Sequence, residues 1–210
     1  MNCRQQHIDL AVEENQFEDA VLAVLHTIIF HRSTGKHHYE NDDTYHIGST
    51  GFTDEDCTNV DVTYVRCDCN ELDDLLKREV RAIYRELISS PNNDFCQIVL
   101  EFYQRRLGRW SFIFSESVPW EAWDLRITLI SMDYPNERSE FRKVVNSSLS
   151  DRIITIAQSI TFNEFVPKVP QRGELDTVFD SSFKNVQPYL FRVSTALSYV
   201  IINFDQAPSI

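Results

Sequence analysis

Glycine is scarce in this chain, with five in 210 residues against a usual share of roughly 7%. None of the five falls in a phosphate-cradling pattern, which weakens any nucleotide-loop reading. Basic residues are also few, 20 Lys and Arg against 32 Asp and Glu, for a formal charge of −12. The imbalance sits early: residues 1–70 hold 13 acids and 4 bases, whereas the remaining 140 hold 19 and 16. A net acid without a basic block is a poor binder of nucleic acid or of anionic membrane. No apolar run approaches the ~20 residues of a membrane span. The opening Met1-Asn2-Cys3-Arg4-Gln5-Gln6-His7 turns polar where a signal peptide would be apolar. Internal repeats, low-complexity segments, a G-x-S-x-G elbow and an H-E-x-x-H helix are all absent.

What remains has the composition of an ordinary globular protein, 42% apolar and 25% charged, long enough for one substantial core. The five cysteines are Cys3, Cys57, Cys67, Cys69 and Cys96. An odd count without a secretory signal implies reduced thiols in the cytosol, where the Asn146-Ser147-Ser148 sequon has no meaning. All six histidines lie in the first 46 residues. Cys67-x-Cys69 lacks the gap of a zinc knuckle and has no second pair, so no metal is expected. Cys67 and Cys69 are read as sharing a strand face, with His37 and His38 in a solvated loop. Asp54-Glu55-Asp56 lacks the ligand periodicity of a calcium loop and is read as a solvated acidic turn. No catalytic residue and no cofactor are expected. A thiol enzyme using Cys57, Cys67 or Cys96 is the alternative from another function class.

Hydrophobic periodicity gives the elements. Ile8, Leu10 and Val12 share one face of a strand. Asn15 and Glu18 resemble a capping box, and Phe17, Ala20, Val21, Val24, Leu25 and Ile28 follow at helical spacing, giving a helix over 15–31. Residues 36–59 read as a long loop or weak hairpin, and Val60 to Arg66 as a strand. A second helix over 70–90 buries Leu72, Leu75, Leu76, Val80, Ile83 and Leu87, and Pro91 closes it. Strands are expected over 96–104 and 120–130, then a third helix over 136–162 with Phe141, Val144, Val145, Leu149, Ile153, Ile156 and Ile160 inward. Pro167 and Pro170 mark a connector before an extended segment over 189–193. This order predicts a single α+β domain, an antiparallel sheet backed by three main helices.

Between the two central strands stands Gln104-Arg105-Arg106-Leu107-Gly108-Arg109-Trp110-Ser111-Phe112-Ile113-Phe114-Ser115-Glu116-Ser117-Val118-Pro119. A connection this long within a compact domain is often functional, and Trp and Arg dominate interface hot spots. The alternation of Trp110, Phe112 and Phe114 equally suits a strand whose rings enter the core, so both readings stand. Trp120 and Trp123 are read as core residues of the sheet.

At this segment and along its flanks the sequence resembles the autophagy-related protein 101 family, HORMA-domain subunits of the autophagy-initiation kinase complex. The resemblance is carried by Ala23-Val24-Leu25-His26-Thr27, His31-Arg32-Ser33-Thr34-Gly35-Lys36, Asp61-Val62-Thr63-Tyr64-Val65-Arg66 and Leu100-Glu101-Phe102-Tyr103-Gln104. It continues through Arg109-Trp110-Ser111-Phe112, Pro119-Trp120-Glu121-Ala122-Trp123, Pro167-Lys168-Val169-Pro170, Val178-Phe179-Asp180 and Asn185-Val186-Gln187-Pro188-Tyr189-Leu190. Two departures stand out. Ser111 replaces the proline of the family's Trp-Pro-Phe finger and loses its fixed φ, and a short, largely apolar 198–210 replaces a longer, partly basic end.

The resemblance implies a HORMA domain over 1–197 and a tail over 198–210. It implies a non-enzymatic cytoplasmic adaptor that pairs with and stabilises the HORMA domain of autophagy-related protein 13. That pair belongs to the complex of the Unc-51-like kinase and its coiled-coil scaffold, recruited to the phagophore assembly site. Trp110 and Phe112, flanked by Arg109, would form an exposed finger for downstream autophagy factors. His31, Arg32, Ser33 and Thr34 would be constrained by the heterodimer surface or by the fold. A HORMA adaptor of a chromosome or checkpoint pathway is the alternative within the same fold.

Overall fold

The structure is a computed structural model that describes residues 3–89, 94–108, 111–161 and 165–195, with the backbone alone for 107, 108 and 111–115. Strand β1 (Arg4–Val12) leads through a 3-10 turn (Glu14–Gln16) into helix α1 (Phe17–His31). Short strands follow: β2 (Ser33–Thr34), β3 (His37–Tyr39), β4 (Tyr45–Ile47), β5 (Phe52–Asp56) and β6 (Thr63–Cys67). Helix α2 (Asn70–Ser89) precedes the two long strands β7 (Phe95–Gly108) and β8 (Ser111–Leu129). Helix α3 (Pro135–Ser159), a 3-10 turn (Arg172–Thr177), β9 (Gln187–Pro188) and β10 (Phe191–Thr195) complete the described chain.

The α+β reading holds, with a central four-stranded sheet in the order β1-β8-β7-β10. Its all-antiparallel character does not, because β1 runs parallel to β8, from Arg4 opposite Glu121 to Val12 opposite Leu129. Alternation reports which face of a strand is buried but not its direction. Here the hairpin of β7 and β8 is antiparallel, and β1 joins the far edge of β8 running the same way.

Helix α1 is apolar on nearly every side and is buried accordingly, from Phe17 through Ile29 with only Glu18 and Asp19 left half-exposed. It packs against β6, α2 and α3. Helix α2 is amphipathic, burying Leu72, Leu76, Val80, Ile83 and Leu87 at three- and four-residue steps. Each such side chain contributes about 1.5–3 kcal/mol on burial. Helix α3 opens with Pro135, whose missing N–H costs nothing at a first turn. Its inner stripe is Val145, Leu149, Ile156 and, just past its end, Ile160, with Phe141 and Ile153 partly buried beside it. Val144, expected inward, is 61% exposed because it lies about 100° round the helix from Val145. The guanidinium of Arg4 donates to the Ser159 carbonyl (2.7 Å) and ties β1 to the end of α3.

Residues 36–59 form more structure than a loop. β3 and β4 make a hairpin, and β5 pairs antiparallel with β6. Asp54-Glu55-Asp56 therefore lies in a strand rather than a turn, and Glu55 accepts from Arg66 across it at 3.0 Å. His37 is not solvated: it is buried, with its ring 4.8 Å from that of Phe179. Only His38 of the pair is exposed, stacked on His46 at 5.0 Å. The hairpin can fold back because Gly35 carries no Cβ, which would lie 1.9 Å from the Gly48 carbonyl oxygen. The expected final segment is strand β10, two residues later than its periodicity indicated.

Candidate interaction surface

Two features of the sequence analysis meet at the long strands. At the sheet, Trp120 and Trp123 are fully or almost fully buried and lie near the end of helix α1. The Arg32 guanidinium holds the Glu121 carboxylate with both forks, Nε to Oε2 at 2.7 Å and Nη2 to Oε1 at 3.3 Å. Both side chains are out of water, 3% and 1% exposed. The Trp123 indole N–H also donates to Glu121 Oε1 (2.9 Å), and Arg32 stands 5.7 Å from the centre of the Trp120 ring. The Arg32 carbonyl accepts from Tyr189 N–H at 3.0 Å. One arginine thus joins the end of α1, strand β8 and the segment before β10.

Its neighbours divide. The Ser33 hydroxyl donates to the Ile29 carbonyl, and that of Thr34 donates to the Gln187 carbonyl across the β2–β9 pair. His31 is the exposed member; its Nδ1 donates to the Thr27 carbonyl at 2.8 Å, and its ring stands edge-on to that of Phe30 at 5.5 Å.

Beyond the sheet, β7 and β8 continue as a two-stranded ribbon. Among the described residues β10 covers β7 only at 98–102, and β1 covers β8 only at 121–129. The pairing steps from Phe102 opposite Glu121 to Tyr103 opposite Pro119, leaving Trp120 as the extra residue of a bulge. Bulges and sheet margins are where a strand tolerates proline. The ribbon then runs Gln104 opposite Val118, Arg105 opposite Ser117 and Arg106 opposite Glu116, out to Gly108 opposite Ser111. The backbone of 104–108 and 111–119 is therefore strand, not loop, although it stands outside the four-stranded part of the sheet. Arg109 and Trp110 lie outside the described residues, as does the side chain of Phe112.

The thiols are poorly suited to nucleophilic chemistry. Burial, reinforced by Asp19, Asp56 and Glu55, pushes Cys57 up to about 12. Burial together with Glu86 does the same to Cys96, and burial also raises Cys67. Among the described residues no three His, Cys, Asp or Glu side chains converge to hold a metal ion. An open groove of about 510 Å³ is lined by Glu13, Glu14, Tyr84, Asp94 and Arg138 among others. Two of its acids have partners: Glu13 holds Arg138 at 2.8 Å and Glu14 accepts from Tyr84 at 2.6 Å. None of the described helices is long and apolar enough to cross a membrane.

The sequence marked the region of Arg32 by its position and left its inward role open. Glu121 went unnoticed, since an acid two residues before Trp123 carries no local sign of a partner 89 positions away.

A family model described as autophagy-related protein 101 matches residues 9–173. The chain is 43% identical over 194 residues to the autophagy-related protein 101 of Xenopus tropicalis, covering 92% of this chain and 88% of that one. The human protein of the same name is 41% identical with the same coverage. That of Arabidopsis thaliana is 24% identical over 190 residues, covering 81% of each chain. The chain therefore belongs to the autophagy-related protein 101 family.

Proposed function

We propose that this protein is a non-enzymatic adaptor of the autophagy-initiation complex, a HORMA domain that pairs with the HORMA domain of autophagy-related protein 13. Family membership supports a role in autophagy. The observation that carries the adaptor reading is the β7–β8 ribbon, which among the described residues outruns both flanking strands and has Arg109, Trp110 and Phe112 at and beside its sequence midpoint. In this reading Trp110 and Phe112 are the aromatic anchors for a downstream factor, with Arg109 as a stacking cation.

Partner pairing falls to other surfaces, and His31 is the member of its group available for it. Arg32, Ser33 and Thr34 serve the fold that displays it. The protein acts in the cytoplasm as part of the Unc-51-like kinase assembly with its coiled-coil scaffold, and is recruited to the phagophore assembly site.

Affinity purification of the chain followed by mass spectrometry tests this reading. The expected result is recovery of autophagy-related protein 13 and the kinase. Recovery of chromosome or checkpoint proteins in their place would overturn it. In the same assay Trp110→Ala with Phe112→Ala should retain autophagy-related protein 13 and lose downstream factors.

A further inference from the structure

The hairpin of β3 and β4 is fastened from behind. His37 N–H donates to Gln187 Oε1 at 3.0 Å, the Tyr39 hydroxyl to the Pro170 carbonyl at 2.6 Å, and Lys36 Nζ to the Ser181 carbonyl at 3.0 Å. Its outer strand is more open. Every residue of β4 is exposed, with Tyr45 at 38% beside the rings of His37 and Tyr39 and Ile47 at 47%, and Phe52 at the start of β5 reaches 65%. Large apolar side chains this exposed, within eight positions of one another and on fixed backbone, are an unusual load on a water-facing surface.

The backbone has a free side too. Glu40 N–H donates to the Thr44 carbonyl and Gly48 N–H to the Lys36 carbonyl, so in this register the amide groups of His46 face β3. Those of Tyr45 and Ile47 then face the outer edge. Among the described residues β4 pairs only with β3, and β5 only with β6. Natural sheets blunt such edges with short strands, lysine, proline or a bulge; Tyr45-His46-Ile47 is short but contains none of the other three. The segment from 36 to 56 instead holds six acids against Lys36 alone, with Glu40, Asp42, Asp43, Asp54 and Asp56 exposed. That charge repels a second copy of the same edge and attracts a basic strand.

We propose that the outer edge of β4 docks an extended segment of a partner protein by strand addition. The segment alternates basic and apolar residues. Tyr45, Ile47 and Phe52 supply the apolar contacts, and Glu40, Asp42 and Asp43 the acidic rim. The proposal rests on the adaptor reading, since it supplies a further partner surface.

The test uses the intact chain and a fluorescent peptide of alternating lysine and valine long enough to span β4, read by anisotropy. The expected result is binding that weakens with added salt. It should weaken about tenfold or more when alternate peptide amides are N-methylated, and likewise in a Tyr45→Lys, Ile47→Lys variant. A peptide with glutamate in place of lysine should not bind. Failure of the lysine–valine peptide to bind, or equal binding after N-methylation, would overturn the proposal. So would a self-association of the chain that the double lysine variant abolishes, which would give the edge to a second copy. If that variant proves unstable, the N-methyl comparison still decides, because it leaves the protein unaltered. Sedimentation with the HORMA domain of autophagy-related protein 13 on the same preparation separates the two readings: pairing without peptide binding defeats only the proposal for β4.

Discussion

Arg32 and Glu121 put a full ion pair where water is excluded, and both charges are kept only because each satisfies the other. Removing one partner of such a pair costs about 3–5 kcal/mol, since the survivor stays buried and uncompensated. Arg32→Met should lower stability by about that amount in urea unfolding, and Arg32→Met with Glu121→Leu should recover part of the loss. Gly35→Ala should also be strongly destabilising, because its Cβ would overlap the Gly48 carbonyl. Two buried histidines add a pH dependence. Burial, offset in part by Asp73 for His26 and by Gln187 for His37, holds both below the usual 6.5. Asp73 is held below the carboxylate range despite its own burial, by His26 and by Lys77 at 2.8 Å. The unfolded chain therefore takes up the histidine protons first. The histidines' contribution to stability is complete above about pH 6.5, the unfolded value, and is lost as pH falls from there through the lower folded-state values. Denaturation midpoints at about pH 7.5 and about pH 5.5 should differ in that direction, and His26→Gln should shrink the difference.

At the scale of elements, the helices were the most legible part of the sequence. Leu72, Leu76, Val80, Ile83 and Leu87 repeat at helical steps, and α2 lies within a residue of its expected bounds. Leu76→Ala should cost about 2–5 kcal/mol. Val144 was misplaced because the stretch from Val144 to Ile160 carries more apolar residues than one stripe can hold. Strand direction was illegible, since β1 beside β8 depends on a pairing across more than a hundred residues. His37 looked solvated in its polar surroundings because its cover, Phe179 and Gln187, arrives from the far end of the chain. For residues 104–119 alternation left loop and strand equally open, and the backbone is strand. Among the described residues both neighbouring strands stop short of that ribbon, and the finger reading has it add little to the core. Replacing 105–117 by an Asn-Gly turn should shift the melting temperature by only a few degrees, unlike Leu76→Ala, and calorimetry would distinguish the two.

For the whole molecule, one core formed by α1, the sheet and two flanking helices supports surfaces that differ in charge. The first 70 residues carry −9 of the total −12, and the open edge of β4 lies among them. Burial leaves Cys57 and Cys96 poor nucleophiles, family membership supports a role in autophagy, and protein contact is the function we propose for these surfaces. The most direct measurement is sedimentation velocity of the purified chain mixed with the HORMA domain of autophagy-related protein 13 at micromolar concentration. A single one-to-one species, with neither free component left at equal loading, is the expected result; two independent monomers would contradict the adaptor reading.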